Sequence, residues 1–416
     1  MTDSAQHSTS AGPDVRLATR AAQILGSPVD SSISLLQAYG RDVISFGMGS
    51  VGPDAIPGAA LAELAAQVLD DPSNSSFNYG PTEGEPSLRT ELLAILRAAG
   101  QPAEEETLLI TTGGMQGLDL VCKLFLNPGD LVLTESPTYA NALVTIASYQ
   151  GRVVECPTDD QGIVVEAIPD IVGRAGPAPK LIYVIPNYQN PTGFCLSEER
   201  RLRLLELARK YNAVILEDDP YGQLSYDGIE RPSLFQLDGG AGTVVSVNTF
   251  SKVVAPGLRV GWLLARPDIV RRMVAARHGM DTCTNVVGQR LVASFLANHG
   301  LEPHVIQLRE RYGRKLAVLL RELDRLFGAE PGVEWSRPAG GFFVWLKLPG
   351  IDADELLKVA MEEGVFFIPG SAFTTTTGFK DRLRLCFTYP GESQIVEGVA
   401  RPKAAYRRHL DLRPAS

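Results

Sequence analysis

Lys252 is one of nine lysines among 416 residues, and it stands where a solvated lysine is out of place, just past the apolar run Thr243 to Val247. An amine held among small polar and apolar groups has a lowered pKa and acts as a nucleophile. Thr249 and Ser251 lie three and one residues before it and Arg259 seven after it, which adds two hydroxyl donors and a guanidinium fork suited to a phosphate. An amine for an aldehyde and anchors for a phosphate are what pyridoxal 5'-phosphate, PLP, requires. The same residues would also serve a surface Ser-Lys turn leading into a strand, so the surrounding elements have to decide between the two.

Two glycine-rich stretches bear on that choice. Gly47-Met48-Gly49-Ser50-Val51-Gly52 matches G-x-G-x-x-G behind a short strand, Val43 to Phe46. A dinucleotide fingerprint needs a helix to open there, and Pro53 and Pro57 stand in the way. A loop that lets a substrate approach its backbone is the better reading. Gly113-Gly114-Met115-Gln116-Gly117 lies between a buried strand, Thr107 to Thr111, and a helix that runs to Phe125 and is ended by Asn127-Pro128-Gly129. Backbone amides at such a helix start hold an anion. The Gly-Lys-Ser/Thr of a nucleotide loop is missing, so a smaller phosphate is the expected guest.

The elements between these stretches alternate. Helical periodicity over Ala59 to Leu69 and Ser87 to Ala99 flanks a turn-rich loop, Asn78 to Gly84. Strands follow at Leu131 to Thr134, Arg152 to Cys156, Leu181 to Ile185 and Ala213 to Leu216. Between them lie a helix from Tyr139 to Tyr149 and one from Glu198 to Tyr211, the latter capped by Ser197 with two glutamates in its first turn. This order predicts an α/β fold: a three-layer, mostly parallel sheet with ligands at the carboxyl ends of its strands. Asn187 to Gly193, Glu217 to Tyr221, and Lys252 all fall at such ends. Glu217 and Asp219 read as strand-end carboxylates in water. Helices to about Asn298 and a long amphipathic one from His304 to Phe327 precede a strand at Phe342 to Leu348, a helix at Asp354 to Glu363, and strands at Val365 to Ile368 and Leu383 to Phe387. The expected organisation is a disordered tail over 1–14, an N-terminal segment over 15–57 packing with the small domain, a large domain over 58–300, and a smaller α+β domain over 301–416.

A net charge of −9 argues against nucleic acid and anionic membranes as partners. No run of about 18 apolar residues suggests a membrane span. The Ser/Thr-rich start has neither the basic nor the apolar region of an export signal. The five cysteines are scattered and fit a reducing cytoplasm. The five histidines form no His-x-x-x-His pair, so no metal site is expected.

With Tyr79, the Gly113–Gly117 turn, Tyr139, Asn190, Asp218, Tyr221, Lys252 and Arg259 in this order, the chain resembles fold-type I PLP-dependent aminotransferases. The nearer likeness is to the branch of the α-aminoadipate and kynurenine aminotransferases and the effector domains of MocR-type regulators. Five motifs carry it between Ile44 and Tyr389: Asn78 to Gly84, Pro186-Asn187-Tyr188-Gln189-Asn190-Pro191-Thr192-Gly193, Glu217 to Gly222, Thr249 to Lys252 with Ala255 to Trp262, and Pro338 to Trp345. The resemblance implies that Lys252 holds PLP and, once freed by substrate, carries the proton. It implies that Asp218 pairs with the pyridine nitrogen, that Asn190 and Tyr221 bond the ring oxygen, and that Tyr139 stacks on the ring. Gly114, Met115, Gln116, Thr249, Ser251 and Arg259 would surround the phosphate, and Tyr79 would reach it from the other subunit of a homodimer. Arg384 matches the arginine that grips the substrate α-carboxylate, and Asn190 and Gly49 would join it there.

Relatives commonly carry Ile-Arg in the first helix, whose arginine binds a side-chain carboxylate in the aminoadipate enzymes; here Ile33-Ser34 stands in its place, which argues against a dicarboxylic substrate. The usual Gly-Gly-Leu-Pro of the substrate loop is replaced by Met48-Gly49-Ser50-Val51. The implied activity is transfer of an amino group from an α-amino acid to a 2-oxo acid. The alternatives are another PLP chemistry on the same fold, such as β- or γ-elimination or replacement or amino-acid oxidation, and an effector domain, for which no helix-turn-helix or basic patch is seen.

Overall fold

The computed structural model describes residues 17–24, 26, 27, 29, 34 and 43–411. The tail expected over 1–14, and Ile33 beside Ser34, lie outside the described residues. The chain starts its main body with β1 (Ile44–Ser45), then α1 (Gly58–Leu69), α2 (Pro86–Ala98), β2 (Leu108–Thr111), α3 (Gly114–Phe125), β3 (Leu131–Ser136) and α4 (Ala140–Ser148). Next come β4 (Arg152–Asp159), β5 (Gly162–Ile163), α5 (Ile168–Ala175), β6 (Leu181–Val184), α6 (Glu198–Tyr211), β7 (Val214–Asp218), α7 (Leu234–Asp238), β8 (Val244–Thr249) and β9 (Gly261–Leu264).

Strands β2 to β9 form an eight-stranded sheet in the order β2-β9-β8-β7-β6-β3-β4-β5. Strands β8, β7, β6, β3 and β4 run parallel, and β9 is antiparallel to both its neighbours. The parallel strands are near-continuous apolar runs, as in Leu181-Ile182-Tyr183-Val184, every residue of which is fully buried. That composition is what a strand covered by helices on both faces demands. Because β9 reverses, the start of β9 and the ends of β2, β8, β7, β6 and β3 lie along one edge. Gly261 is paired with both Thr111 and Thr249 at that edge. A Cβ on Gly261 would come 2.7 Å from the Asn248 carbonyl and 2.8 Å from the Gly113 backbone, so glycine is what lets the turn after β2 press against β9.

The second half carries α8 (Pro267–Arg277), α9 (Val286–His299), α10 (Leu301–Phe327), β10 (Glu334–Trp335), β11 (Phe343–Lys347), α11 (Ala353–Glu362), β12 (Val365–Phe366), β13 (Ile368–Pro369), β14 (Arg382–Cys386) and α12 (Glu392–Asp411). An antiparallel sheet of order β10-β11-β14-β13 results. The single strand expected at Val365 to Ile368 is two strands: β12 pairs in parallel with β1, and β13 pairs with β14. One segment cannot follow two partners without a break, and the break falls at Phe367. Strand β1 thereby ties the N-terminal segment to this half of the molecule. The hairpin strand β5 and the helices α5 and α12 are additions to the expected elements.

Candidate active site

A cavity of about 250 Å³ opens at the shared strand edge, and Lys252, Asp218, Tyr221, Asn190, Tyr139, Thr249, Ser251, Arg259, Gly114, Met115, Gly49 and Arg384 all line it. Lys252 ends the single helical turn Phe250–Lys252 that follows β8. Its Nζ donates to the Gly49 carbonyl at 2.6 Å and lies 5.7 Å from the centre of the Phe342 ring. Burial lowers its pKa from 10.5 to about 8, and the positive charges of Arg384 and Arg259 push the same way against Cys386 and Asp218. The amine is therefore readily freed of its proton, as a nucleophile must be.

Asp218 is the last residue of β7 and is 7% exposed. Burial raises its pKa to about 7, opposed by a 2.8 Å hydrogen bond that the Tyr183 hydroxyl donates to Oδ2. Its neighbours on the chain are not in water. Glu217 is fully buried and accepts from the Leu234 and Phe235 amides at 2.6 and 3.2 Å, capping α7. Asp219 accepts from Asn187 Nδ2 at 3.0 Å and from the Gly222 amide at 2.9 Å. The solvated reading is thus corrected, fully for Glu217 and in part for half-buried Asp219: α7 and the Asn187 loop close over the strand end, and backbone amides with the Asn187 side chain replace water.

The phosphate side is built by the turn after β2. Gly113 has φ +73°, and a Cβ there would stand 2.8 Å from Nη2 of Arg259. Only glycine admits the guanidinium against the start of α3, where Gly114 and Met115 supply free amides. Arg259 is exposed and φ +54°, and the Thr249 and Ser251 hydroxyls sit 2.9 Å apart behind it. Gln116 is not brought to the cavity by its side chain. Its Nε2 donates to Asp281 Oδ2 at 2.6 Å and its Oε1 accepts from the Thr112 amide at 2.8 Å, so it braces the turn from behind. Asp281 is held in turn by Arg277. Tyr79 also lies away from the cavity, 83% exposed.

Arg384, in the middle of β14, is 1% exposed. It donates to Asn190 Oδ1 at 3.0 Å and to the Gly47 carbonyl at 2.6 Å, and its Nε has no partner. The rings of Phe343 and Phe373 cover its faces at 4.4 and 5.2 Å. No carboxylate pairs with it among the described residues. A buried guanidinium satisfied only by neutral acceptors is a site prepared for an anion. Tyr221, packed edge-on against Phe343, completes the floor.

The chain matches the family described as Aminotransferase class I and II over residues 41–400. The chain belongs to that family. It is 36% identical to the aromatic-amino-acid aminotransferase 1 of Thermococcus litoralis over 86% of this chain and 87% of that one. Among solved structures, the Pyrococcus horikoshii kynurenine aminotransferase in complex with PMP superposes with a TM-score of 0.88 at 34% identity, covering 96% of this chain and 98% of that one. The α-aminoadipate aminotransferase LysN of Thermus thermophilus, complexed with N-(5'-phosphopyridoxyl)-L-leucine, superposes at 0.87 with 34% identity, covering 95% and 98%. This aminotransferase is PLP-dependent and moves an amino group between an amino acid and a 2-oxo acid; elimination or oxidation is not favoured by these relatives. The residues present fit the cofactor: a sheltered amine, a buried carboxylate, and a glycine-relieved anion cradle share one cavity.

Several lining residues carried no signal in the sequence. Val29, Leu118, Asn141 and Ile185 reach the cavity from separate segments, and each reads locally as ordinary packing. Tyr183 alternates within an apolar strand and looks like core. No helix among the described residues is long and apolar enough to cross a membrane.

Proposed function

We propose that this aminotransferase acts on amino acids with neutral, largely apolar side chains. The observation that carries this is the balance of cations in the cavity. Among the described residues three cationic side chains line it, Lys252, Arg259 and Arg384, against one carboxylate, Asp218. Each cation has a partner of its own: the cofactor aldehyde, the phosphate and the substrate α-carboxylate. None remains for a second carboxylate, and Val29, Met48, Met115 and Ile185 offer apolar wall instead. Ser34, at the position where an arginine is common, is exposed.

PLP, when bound, supplies the electron sink that makes the substrate Cα–H acidic. The rest is done by side chains. Arg384 takes the α-carboxylate in a two-point grip, with Asn190 and the Gly49 backbone beside it, and so fixes which Cα bond faces the ring. Lys252, with its lowered pKa, takes the proton from Cα and returns it. Asp218 would pair with a positive ring nitrogen in a buried setting. Tyr221 and Asn190 would donate to the ring oxygen, Tyr139 would stack on the ring, and Gly114, Met115, Thr249, Ser251 and Arg259 would hold the phosphate. Removing the grip should act on binding first: Arg384→Ala is expected to raise KM for amino acids roughly tenfold or more, in line with the loss of charge-assisted hydrogen bonds. An unchanged KM would remove Arg384 from this role.

The functional unit is a homodimer in which Tyr79 reaches the phosphate of the other subunit. Its support is the exposure of Tyr79 and Phe77, at 83% and 65%, in one loop outside their own cavity; a monomer in sedimentation velocity would contradict it. The five free cysteines fit a cytoplasmic enzyme, and secretion of the folded chain in fractionation would overturn that.

A further inference from the structure

We infer that Tyr183 is a positioning residue that acts on the cofactor ring through Asp218, an inference that rests on the role proposed for Asp218 above. Tyr183 lies in the middle of β6, fully buried, beside β7 in register with Leu216. Its hydroxyl donates to Asp218 Oδ2 at 2.8 Å. A carboxylate has two oxygens, and this bond occupies one of them, which fixes the plane of the group and leaves Oδ1 for the ring nitrogen. A phenol in the centre of a strand otherwise filled by Leu181, Ile182 and Val184 is costly to bury without a partner, and Asp218 is the partner it has.

The bond also decides the charge state. Burial drives Asp218 toward its neutral form, while the Tyr183 hydroxyl and the Lys252 ammonium favour the charged form. Glu135, Asp219, Tyr139 and Tyr221 also bear on this cluster, and each disfavours another negative charge in it. Without the phenol the carboxylate is both free to turn and more basic, so it competes with the ring nitrogen for the shared proton. Tyr183 itself stays protonated, since burial raises its pKa well above 10.

The test uses holoenzyme loaded with PLP labelled with nitrogen-15 in the ring, read by NMR. In the wild type the ring signal should stand at its protonated position. Tyr183→Phe, which keeps the ring and its packing, should shift the signal toward the unprotonated position and slow the single-turnover half-reaction about tenfold, with KM within about twofold. Replacing Tyr183 by 3-fluorotyrosine, which keeps a donor, should retain the wild-type signal. Asp218→Asn separates the two layers of the account. If it moves the signal and Tyr183→Phe does not, the inference about Tyr183 falls and the reading of Asp218 stands. If neither moves it, the reading of Asp218 falls. Should Tyr183→Phe fail to fold, Tyr183→Leu, which also removes the donor from a strand of apolar residues, takes its place in the same measurement: a ring signal unmoved from that of the wild type overturns the inference.

Discussion

Lys252 illustrates how a residue's surroundings set its chemistry. A lysine at pKa 10.5 is almost wholly protonated at neutral pH, whereas one near 8 has a usable fraction of free amine. The folded value lies below the ordinary one, so the free amine appears as pH rises through about 8. Uptake of PLP by cofactor-free protein should therefore accelerate about tenfold per pH unit below 8 and level off above it, and Lys252→Ala should lose the visible cofactor band while remaining folded. A pH-independent uptake, or a Lys252→Ala protein that keeps the band, would contradict the assignment. Lys252, Asp218 and Asn190 could be singled out in the sequence because each sits in a motif at a strand end, whereas Arg384, in the middle of β14, was named by the resemblance alone. Glu217 and Asp219 were misread for a physical reason: whether a strand-end carboxylate meets water depends on α7 and the Asn187 loop, which fold over it from distant parts of the chain. Tyr183 was hidden because a tyrosine in an apolar strand looks the same whether its hydroxyl meets solvent or a carboxylate.

At the scale of elements, the helix α6 fell where its Ser197 cap and paired glutamates set it, and Ser197 Oγ does accept from the Arg200 amide. Local signals of this kind read directly. The division of Val365 to Pro369 between β1 and β14 was not legible, since it depends on two partners more than 300 and about 15 residues away along the chain, respectively, a spacing that no local pattern records. Helix α12 was also missed, and Pro402 within it explains why. The turn between β2 and α3 makes the sharpest prediction at this scale. Gly113→Ala forces a side chain into φ +73° and against Arg259, so it should destabilise the protein by about 1 kcal/mol or more and weaken PLP binding roughly tenfold. Thermal melts with and without PLP check both, and an alanine variant that melts and binds like the wild type would show that the turn tolerates a Cβ.

In the whole molecule the cavity depends on contacts between the two sheets. Arg384 from β14 reaches Asn190 beyond β6, and the Thr374 and Thr375 hydroxyls donate to Glu155 of β4 at 2.8 Å. Thr388 donates to the Ser50 carbonyl at 2.8 Å, which anchors the substrate loop to the second half. The α/β class and the strand-end location of the site followed from alternation alone. The wall of the cavity did not, because Val29, Ser50 and Asn141 meet only after the chain has folded. That wall, and the pairing of each cation with one anionic group, is what the proposed substrate preference rests on. The most direct test is an absorbance titration of the PLP-loaded enzyme with a panel of neutral, aromatic and dicarboxylic amino acids, with oxo acid and ammonia assayed in the same tubes. Neutral and aromatic amino acids should convert the cofactor to its amine form with stoichiometric oxo acid and no ammonia, at far lower concentrations than glutamate or 2-aminoadipate. Conversion by the dicarboxylic acids at lower concentrations than by the neutral ones, or release of ammonia, would contradict the account.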